Sequence, residues 1–338
     1  SLVGSEMCIR DRFNFERKMT MADDLKYKVY LLEGQENFVT ETKEHALKKE
    51  YQFPDSLIDF LYVDFQPLMG AFEQLGRDIE NLYQKKDAQY TRSVLDFLHD
   101  MAAVHPYFEI TYHVWKKRFR QAEEQEFKNI IDLLQRKQLT WIPSEAVEIQ
   151  RQIRDIFDNC LDRDLSQGTV NERLTSHFKK YQDDSLKLFR FQKLNIKYEM
   201  VEDRAFTDVL YPESIYDVID YILRECIKRE QPIRKCKNCQ KYFAIRGRTD
   251  TEYCSRPIDD MGRTCRDLGA SYLWERKKKD DEIFKVYRRE YKKRFAWIKS
   301  KKISQEDFYA WSEKARQQKE LCDRGEMTLE EFKDWLKK

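Results

Sequence analysis

The chain has 338 residues, of which 37% are charged and 41% hydrophobic, and its formal net charge is only +2. This length exceeds that of one typical domain and predicts two or three units. The sequence has no apolar run long enough to span a bilayer, and its near-neutral charge excludes a polycationic chain. The absence of a signal peptide after Met21, together with cysteines suited to metal binding, predicts a reducing, cytoplasmic location.

The first 20 residues are predicted to be foreign to the natural protein. Codons for Met7 to Arg12 can be written so that they resemble a transposase-type sequencing adaptor, and residues 13–20 then form a leader before a start at Met21, with Met19 as the alternative start. A purine-rich stretch in that leader resembles a bacterial ribosome-binding site and favours a bacterial source. Residues 1–20 are therefore left out of the fold prediction.

Residues 21–230 are predicted to form an α-helical domain. After a short strand at Tyr27–Leu32, apolar residues recur at the three- and four-residue spacing of helices that bury one face. No enzyme constellation is evident here, because the histidines do not have the spacing of a zinc protease and the nine glycines of the chain leave no phosphate-binding loop. We therefore expect a protein that is not an enzyme.

The end of this domain carries its clearest local signals. Partial alternation of apolar and polar residues predicts a β hairpin at 196–201 and 206–210. A strongly amphipathic helix follows, with seven apolar residues on one face between Ile215 and Ile227. Pro212 is expected to lie in the first turn of this helix.

Four cysteines dominate the sequence after that helix. Cys236 and Cys239 form a CxxC pair, and Cys254 and Cys265 follow at longer spacing. Structural zinc takes four soft ligands in a tetrahedron, usually from two short pairs held by turns. The motif therefore predicts one structural Zn²⁺ site in a small treble-clef-like module, with four thiolates that leave no position for a substrate.

The CxxC pair has the pattern of a zinc knuckle, a tight turn followed by the apolar cover of Tyr242 and Phe243. Asn238 is expected to tolerate a left-handed backbone within this turn. Gln240 stands where glycine is common after the second cysteine, which leaves the geometry of the turn open.

The chain turns basic around and after the cysteines. Between Arg263 and Lys302, fifteen Lys and Arg stand against six Asp and Glu, with aromatic residues interleaved. The pattern predicts a cationic helix with an aromatic side, whose charges contact nucleic acid phosphates without determining sequence. The residues predicted to make these contacts are Arg263, Arg266, Arg276, Lys277, Lys278, Lys279, Arg288, Arg289, Lys292 and Lys293.

Other roles for these charges stay open. Nearby Lys and Arg can offset the negative charge of a tetrathiolate centre. Charged runs are usually the solvated face of a helix, and pairs such as Asp281 with Lys285 have the four-residue spacing that supports one. The third alternative is direct binding of a partner protein. Nucleic-acid contact is favoured over all three.

The end of the chain repeats a short pattern. Ile303–Trp311 is echoed by Met327–Trp335, and in each a Ser or Thr precedes two acidic residues, a Phe and a Trp. This pattern predicts a helix N-cap followed by an apolar face, with Gly325 ending the first of the two helices. A helical hairpin is therefore predicted after the basic helix.

The stretch from Val209 to Trp335 resembles a bacterial family of unknown function in which a variable helical region precedes a zinc-finger-like module. The motifs that carry this resemblance are the helix running from LYP to LREC, the knuckle RKCKNCQKYF, and YCS with a later cysteine. The cysteine spacing is also similar to the Cys-Gly-Asn-Arg type finger of bacterial transcription regulators. Arg266, Asp267 and Leu268 follow Cys265 in place of that naming motif, so DNA binding is not carried over.

These patterns together predict a mainly α protein. Its parts are a multi-helix domain with a minor β hairpin (21–230), a four-cysteine zinc module (231–272), and a basic helix with a helical hairpin tail (273–338). We expect structural zinc and binding of nucleic acid, DNA in preference to RNA, as in a regulator or a mobile-element-associated protein. The alternative is a protein–protein interaction module with the same zinc site. No membrane or small-molecule partner is expected.

Overall fold

The computed structural model describes residues 26–41, 46–165, 168–184 and 186–337, apart from the side chains of Ala88 and of residues 274–280. The predicted adaptor and leader, residues 1–20, lie outside these residues. The chain divides into two units. The first runs to Arg234 and includes Tyr242–Thr249, and the second comprises Lys235–Lys241 and the chain from Asp250. Helices predominate over a small sheet, which confirms the predicted mainly α class.

The first unit contains a five-stranded antiparallel sheet with strand order β3-β2-β1-β5-β4. The predicted strand at 27–32 and the predicted hairpin are confirmed. β2 and β3 were not predicted, because β3 (ALKKEYQ) carries charges where an alternating strand shows apolar residues. The strands are β1 (Lys26–Leu32), β2 (Gln35–Glu41), β3 (Ala46–Gln52), β4 (Ile196–Val201) and β5 (Ala205–Leu210).

Helices of the first unit pack against the sheet through one large apolar core, which includes the side chains of Val29 and Leu31 on β1. Tyr30, between them, joins a smaller apolar cluster with Val39, Val201 and Val209, as expected when side chains alternate between the faces of a strand. The helices are α1 (Asp55–Phe60), α2 (Met69–Lys85), α3 (Ala88–Val104), α4 (Tyr107–Glu124), α5 (Ile130–Leu133), α6 (Lys137–Thr140), α7 (Ile142–Ile156), α8 (Val170–Lys180) and α9 (Ile215–Lys228).

The start of α9 differs from the prediction. Ser214 is the N-cap, and its side chain and that of Asp217 accept from each other's backbone N–H in a capping box. Pro212 therefore precedes the helix and does not lie in its first turn, because a serine cap with an acid three residues later satisfies two free amides at once.

The second unit ends in three packed helices. Its helices are α10 (Cys265–Asp280), α11 (Glu282–Lys299), α12 (Gln305–Asp323) and α13 (Leu329–Lys337). Between α11, α12 and α13 lies an apolar core of Val286, Ala315, Cys322, Phe332 and Leu336. The predicted hairpin of α12 and α13 thus buries its apolar faces against α11 in a three-helix bundle. Two short strands lie between α9 and α10 along the chain, β6 (Ile233–Lys235) and β7 (Tyr242–Ala244), and β7 belongs to the first unit.

The caps predicted for the repeated tail pattern are confirmed. Ser304 accepts from the backbone N–H of Asp307 at 3.0 Å, and Thr328 accepts from Glu331 at 3.3 Å. Gly325 follows the end of α12 with φ +78°, the left-handed conformation that ends helices.

The basic segment, predicted as one helix, is two. α10 ends at Asp280, and Asp281 caps α11 by accepting from the backbone N–H of Phe284 at 2.8 Å. Aspartate competes with the helical backbone for such bonds and favours a cap over a helix interior. No helix in the described part of the chain is long and apolar enough to cross a bilayer.

Candidate metal centre and cationic surface

The fold brings together the four cysteines that the motif predicts as ligands. The sulfur atoms of Cys236, Cys239, Cys254 and Cys265 all lie within 4.8 Å of one another, and those of Cys239 and Cys254 are 3.7 Å apart. A tetrahedral zinc–thiolate centre, with bonds of about 2.3 Å, separates its sulfurs by about 3.8 Å. The cluster therefore has the size and the donors to hold a metal ion.

The first pair is positioned by a closed turn. The backbone N–H of Gln240 donates to the carbonyl of Cys236 at 2.9 Å, and the N–H of Cys236 donates to Lys241 at 2.9 Å. Gln240 itself has φ +60°, so it adopts the conformation in which glycine is common, and its side-chain amide donates to the carbonyl of Lys237 at 3.1 Å. The left-handed residue of the turn is Gln240, and the expectation that Asn238 has this role is wrong.

Asn238 instead contacts a ligand. Its buried side-chain amide donates to Sγ of Cys265 at 3.3 Å, and the backbone N–H of Cys254 donates to Sγ of Cys236 at 3.4 Å. Such bonds to sulfur orient metal ligands and stabilise thiolates. The sequence alone does not indicate this role, because asparagine is common in tight turns and its presence inside a CxxC pair needs no further explanation.

Gly269 in α10 supports the same contact. A Cβ atom at this position would lie 2.5 Å from the ring of Tyr253 and 3.0 Å from Cβ of Asn238. Glycine lets α10 approach the knuckle closely, and a larger residue must displace one of these side chains. A glycine inside a helix is the sequence signal that could have identified this packing.

The second pair lies on either side of a short hairpin that leads into α10. Pro257 pairs with Thr264, and the N–H of Ile258 donates to Arg263 at 2.8 Å. Thr264 then caps α10 in a capping box with Asp267, so Cys265 is the first residue of the helix. Its own N–H donates to the carbonyl of Arg256 at 3.1 Å, which fixes the ligand from both sides.

The thiols differ in their electrostatic environment. Burial raises the pKa of Cys236, but hydrogen bonds from backbone N–H groups outweigh it and bring this pKa to about 7. Burial and the neighbouring thiols raise the pKa of Cys254 to about 12, and burial also raises the pKa of Cys265. Four thiolates this close repel one another, so ionisation of the whole set requires a bound cation.

The cationic side chains of α11 lie on one exposed face. Lys285, Arg288, Arg289, Lys292 and Lys299 are all exposed and follow one another at helical spacing; we call these five residues the cationic stripe. Lys285 pairs with Glu282 at 2.5 Å. In the described part of the chain the other four form no ion pair.

Glu290, within the same helix, does not pair with the stripe. Glu290 is half-buried and forms an ion pair with Lys293 at 3.1 Å. Arg288 places its guanidinium 5.8 Å from the centre of the Phe284 ring. Of the predicted contact residues, Arg288, Arg289 and Lys292 therefore share one uncompensated surface, and Lys293 lies at its border.

The remaining predicted contact residues belong to α10 and the loop before it. Arg263 is exposed and forms an ion pair with Asp259 at 2.6 Å, while Arg266 is exposed at the start of the helix. The predictions for Arg276, Lys277, Lys278 and Lys279 concern side chains outside the described part of the structure.

Arg294, one of the fifteen basic residues of this segment, is not a surface residue. Its side chain is 12% exposed, and its guanidinium lies 4.6 Å from the centre of the Trp311 ring and 5.7 Å from that of Trp297. It donates to the carbonyl of Leu336 at 3.1 Å. Arg294 thus joins all three helices of the bundle.

The aromatic residues of α11 also divide between core and surface. Tyr287 packs against the bundle core, whereas Phe295 is 47% exposed and stacks on Tyr291 with nearly parallel rings, 6.5 Å between centres. Phe295 lies three residues after Lys292 and four before Lys299, which makes it a neighbour of the cationic stripe on the helix surface.

Comparison with known proteins gives one family. Residues 192–338, a little under half of the chain, match the model of a family of unknown function (DUF6076). The matched stretch includes the β4–β5 hairpin, the four cysteines and helices α9 to α13, and so agrees with the predicted resemblance to a family of unknown function. No curated protein and no solved structure matches the chain. The likeness to Cys-Gly-Asn-Arg fingers and the bacterial source stay predictions.

Proposed function

We propose that the four cysteines hold a structural Zn²⁺ and that the chain binds nucleic acid through the cationic stripe, without enzymatic activity. The observation that carries the proposal is the stripe itself. Four of its residues have no carboxylate partner in the described part of the chain, and all of them lie on one face of a helix.

The donor set supports zinc. Four thiolates in a tetrahedral arrangement favour Zn²⁺ or an iron–sulfur centre over harder cations. Cys236, Cys239, Cys254 and Cys265 would fill all four positions of a zinc ion, which leaves none for a substrate and favours a structural role. A knuckle, a hairpin and a helix that begins at a ligand also resemble the treble-clef arrangement expected from the sequence.

The stripe supports a polyanionic partner of elongated shape. From Lys285 to Lys299 it extends about 21 Å along the helix axis at about 1.5 Å per residue. Duplex DNA carries one phosphate charge per about 1.7 Å, so several phosphates lie within this length. Lysine and arginine that contact phosphates release counterions, and this gives affinity without sequence preference.

Phe295 favours nucleic acid over other polyanions. Its ring is 47% exposed beside the stripe, and bases that stack on an aromatic ring gain about 1–3 kcal/mol each. Because stacking needs an unpaired base, a measured preference for single strands would assign this role to Phe295. DNA in preference to RNA, and the alternative of a protein-interaction module, stay predictions.

The test is binding of labelled duplex DNA, single-stranded DNA and RNA by fluorescence anisotropy between 50 and 200 mM salt. Changing Arg288, Arg289 and Lys292 together to Gln is expected to make the negative slope of log K against log salt shallower, by about 2.7 for duplex DNA and about 2.1 for single strands. Between 50 and 200 mM salt the parent chain is therefore expected to lose about 40-fold more affinity for duplex DNA than this variant loses.

A matched control removes the same charge from α12. Changing Lys314, Arg316 and Arg324 to Gln removes three exposed cations of the same unit, two of which pair with Glu313 and Glu320. We expect this variant to keep the salt dependence of the parent chain. Undetectable binding at low salt, or equal losses in both variants, would contradict a role for the stripe. A ratio of zinc to freshly purified, reduced protein near zero would contradict the metal assignment.

A further inference from the structure

β4 is an open edge of the five-stranded sheet. Within the described part of the chain it pairs with β5 alone. The carbonyl of Asn195 accepts from the N–H of Tyr211, so it points toward β5. Backbone direction alternates along an antiparallel strand, and the N–H and C=O groups of Ile196, Tyr198 and Met200 therefore point to the open side.

The side chains on one face of this edge are apolar and exposed. Tyr198 is 71% exposed, Met200 is 52% exposed, and Phe206, opposite Met200 on β5, is 61% exposed. The rings of Tyr198 and Phe206 lie 5.9 Å apart. Proteins usually protect a sheet edge with charged side chains, as the other edge does here, where Lys49 of β3 pairs with Glu109.

We propose that a second copy of this chain adds to β4 as an antiparallel strand about a two-fold axis at Tyr198. In that register Lys197 lies opposite Glu199 of the second copy, and Glu199 lies opposite Lys197 of the second copy. Ile196 then faces Met200 of the second copy, and the outward backbone groups of both strands bond to each other. The proposal rests on the sheet and is independent of the metal and the cationic stripe.

Charge complementarity identifies the partner as the same chain. Opposite charges at directly facing positions stabilise a strand pair, and like charges destabilise it. Lys197 and Glu199 are one residue before and one residue after the axis, so each copy supplies the charge that the other needs. A strand of unrelated sequence has this arrangement only by coincidence.

Tyr211 holds both charges in place. Its hydroxyl donates to the Glu199 carboxylate at 2.5 Å, and the ammonium of Lys197 lies 4.9 Å from the centre of its ring. Both side chains thus stand on one face of β4 before a partner arrives. Their conformational freedom is already reduced, which lowers the entropy lost on association.

The test is sedimentation velocity of the full chain between 1 and 100 µM, as an order-of-magnitude range around the usual dissociation constants of such interfaces. The chain is expected to dimerise. Lys197→Glu, which sets two glutamates opposite each other twice per dimer, is expected to weaken dimerisation by about tenfold or more. Restoration by the double variant Lys197→Glu with Glu199→Lys is expected, because the swap returns opposite charges to facing positions.

A second variant tests the backbone. Tyr198→Pro removes an N–H that points away from β5, so it is expected to abolish the dimer while circular dichroism stays that of the parent chain. A monomeric parent chain at the highest concentration overturns the proposal, even if β4 then captures a different protein. The proposal is also overturned if Lys197→Glu leaves the dissociation constant of the dimer unchanged, or if the charge swap does not restore dimerisation.

Discussion

Arg294 and Arg289 are five residues apart in one helix, and the structure assigns them opposite roles. Changing Arg294 to Met removes a guanidinium enclosed by Trp297, Trp311 and the last turn of α13, while the apolar stem keeps most of its packing. Changing Arg289 to Met removes an exposed charge of the cationic stripe. We expect the first change to destabilise the bundle and the second to leave it intact.

The magnitude follows from the contacts of Arg294. A cation over an aromatic ring is worth about 0.5–2 kcal/mol, and a hydrogen bond from a charged donor about 1.5–3 kcal/mol. Since such terms are not additive, Arg294→Met is expected to lower the free energy of unfolding of the three helices by about 2–4 kcal/mol. Arg289→Met is expected to change it by less than about 0.5 kcal/mol.

Native-state hydrogen exchange measures this difference helix by helix in the full chain. A loss of 2–4 kcal/mol corresponds to about 30- to 1,000-fold faster exchange of the most protected amides of α11, α12 and α13. The Arg289→Met variant should bind nucleic acid more weakly than the parent chain. The Arg294→Met variant, measured under conditions where the bundle is folded, should bind it as the parent chain does. Equal protection in the two variants would refute the distinction between a buried and an exposed arginine.

Three further predictions concern the metal centre and the core. Chelation of the metal, or Cys239→Ser, should abolish protection in the segment from the knuckle to α10, because apparent binding free energies of structural zinc reach about 10–16 kcal/mol. Gly269→Ala should weaken metal affinity by about 10- to 100-fold, because the added Cβ collides with Tyr253 and crowds Asn238, which bonds to the sulfur of Cys265; competition with a chromogenic chelator measures this. Burial raises the pKa of Glu36 from its ordinary value of 4.5 to about 8. Between these two pH values the carboxyl is protonated in the folded state and ionised in the unfolded state. The free energy of unfolding therefore falls as pH rises through this interval. Denaturant titrations from pH 5 to 8 should show a decrease in the free energy of unfolding of about 1.4 kcal/mol per pH unit in the parent chain, and Glu36→Gln should abolish this decrease.

Each of these has an outcome that contradicts it. Unchanged exchange after chelation would mean that the module folds without metal. For Gly269→Ala, Gly262→Ala in the exposed hairpin loop is the control, since an added Cβ there meets no neighbour, although its φ of +73° makes alanine strained. Equal metal affinities of the two variants would remove the packing argument. Parallel pH curves for the parent chain and Glu36→Gln would show that this carboxyl does not hold the proton.

The features that the sequence predicts correctly are those fixed by local chemistry. The clustering of the four cysteines needs only thiols at suitable spacing, and the caps at Ser304 and Thr328 need only a hydroxyl followed by an acid three residues later. The break at Asp281 has the same local origin, but the continuous run of charge around it predicts a single helix.

The missed features depend on distant parts of the chain. β1 pairs with β5 through Val29 and Leu210, and no local pattern specifies a partner so far along the chain. The bond from Asn238 to the sulfur of Cys265 likewise exists only after the hairpin has folded. Arg294 differs from Arg289 only in which side of α11 it occupies, which requires the position of α12 to be known.

Cys265 is at once a candidate ligand and the first residue of α10. The first turn of a helix is the costly step of its formation. An ion held by Cys265 would fix the position of that first turn. Metal binding would then favour formation of α10, which leads directly to the basic helix α11. The ion would act as a nucleus for secondary structure as well as a link between loops.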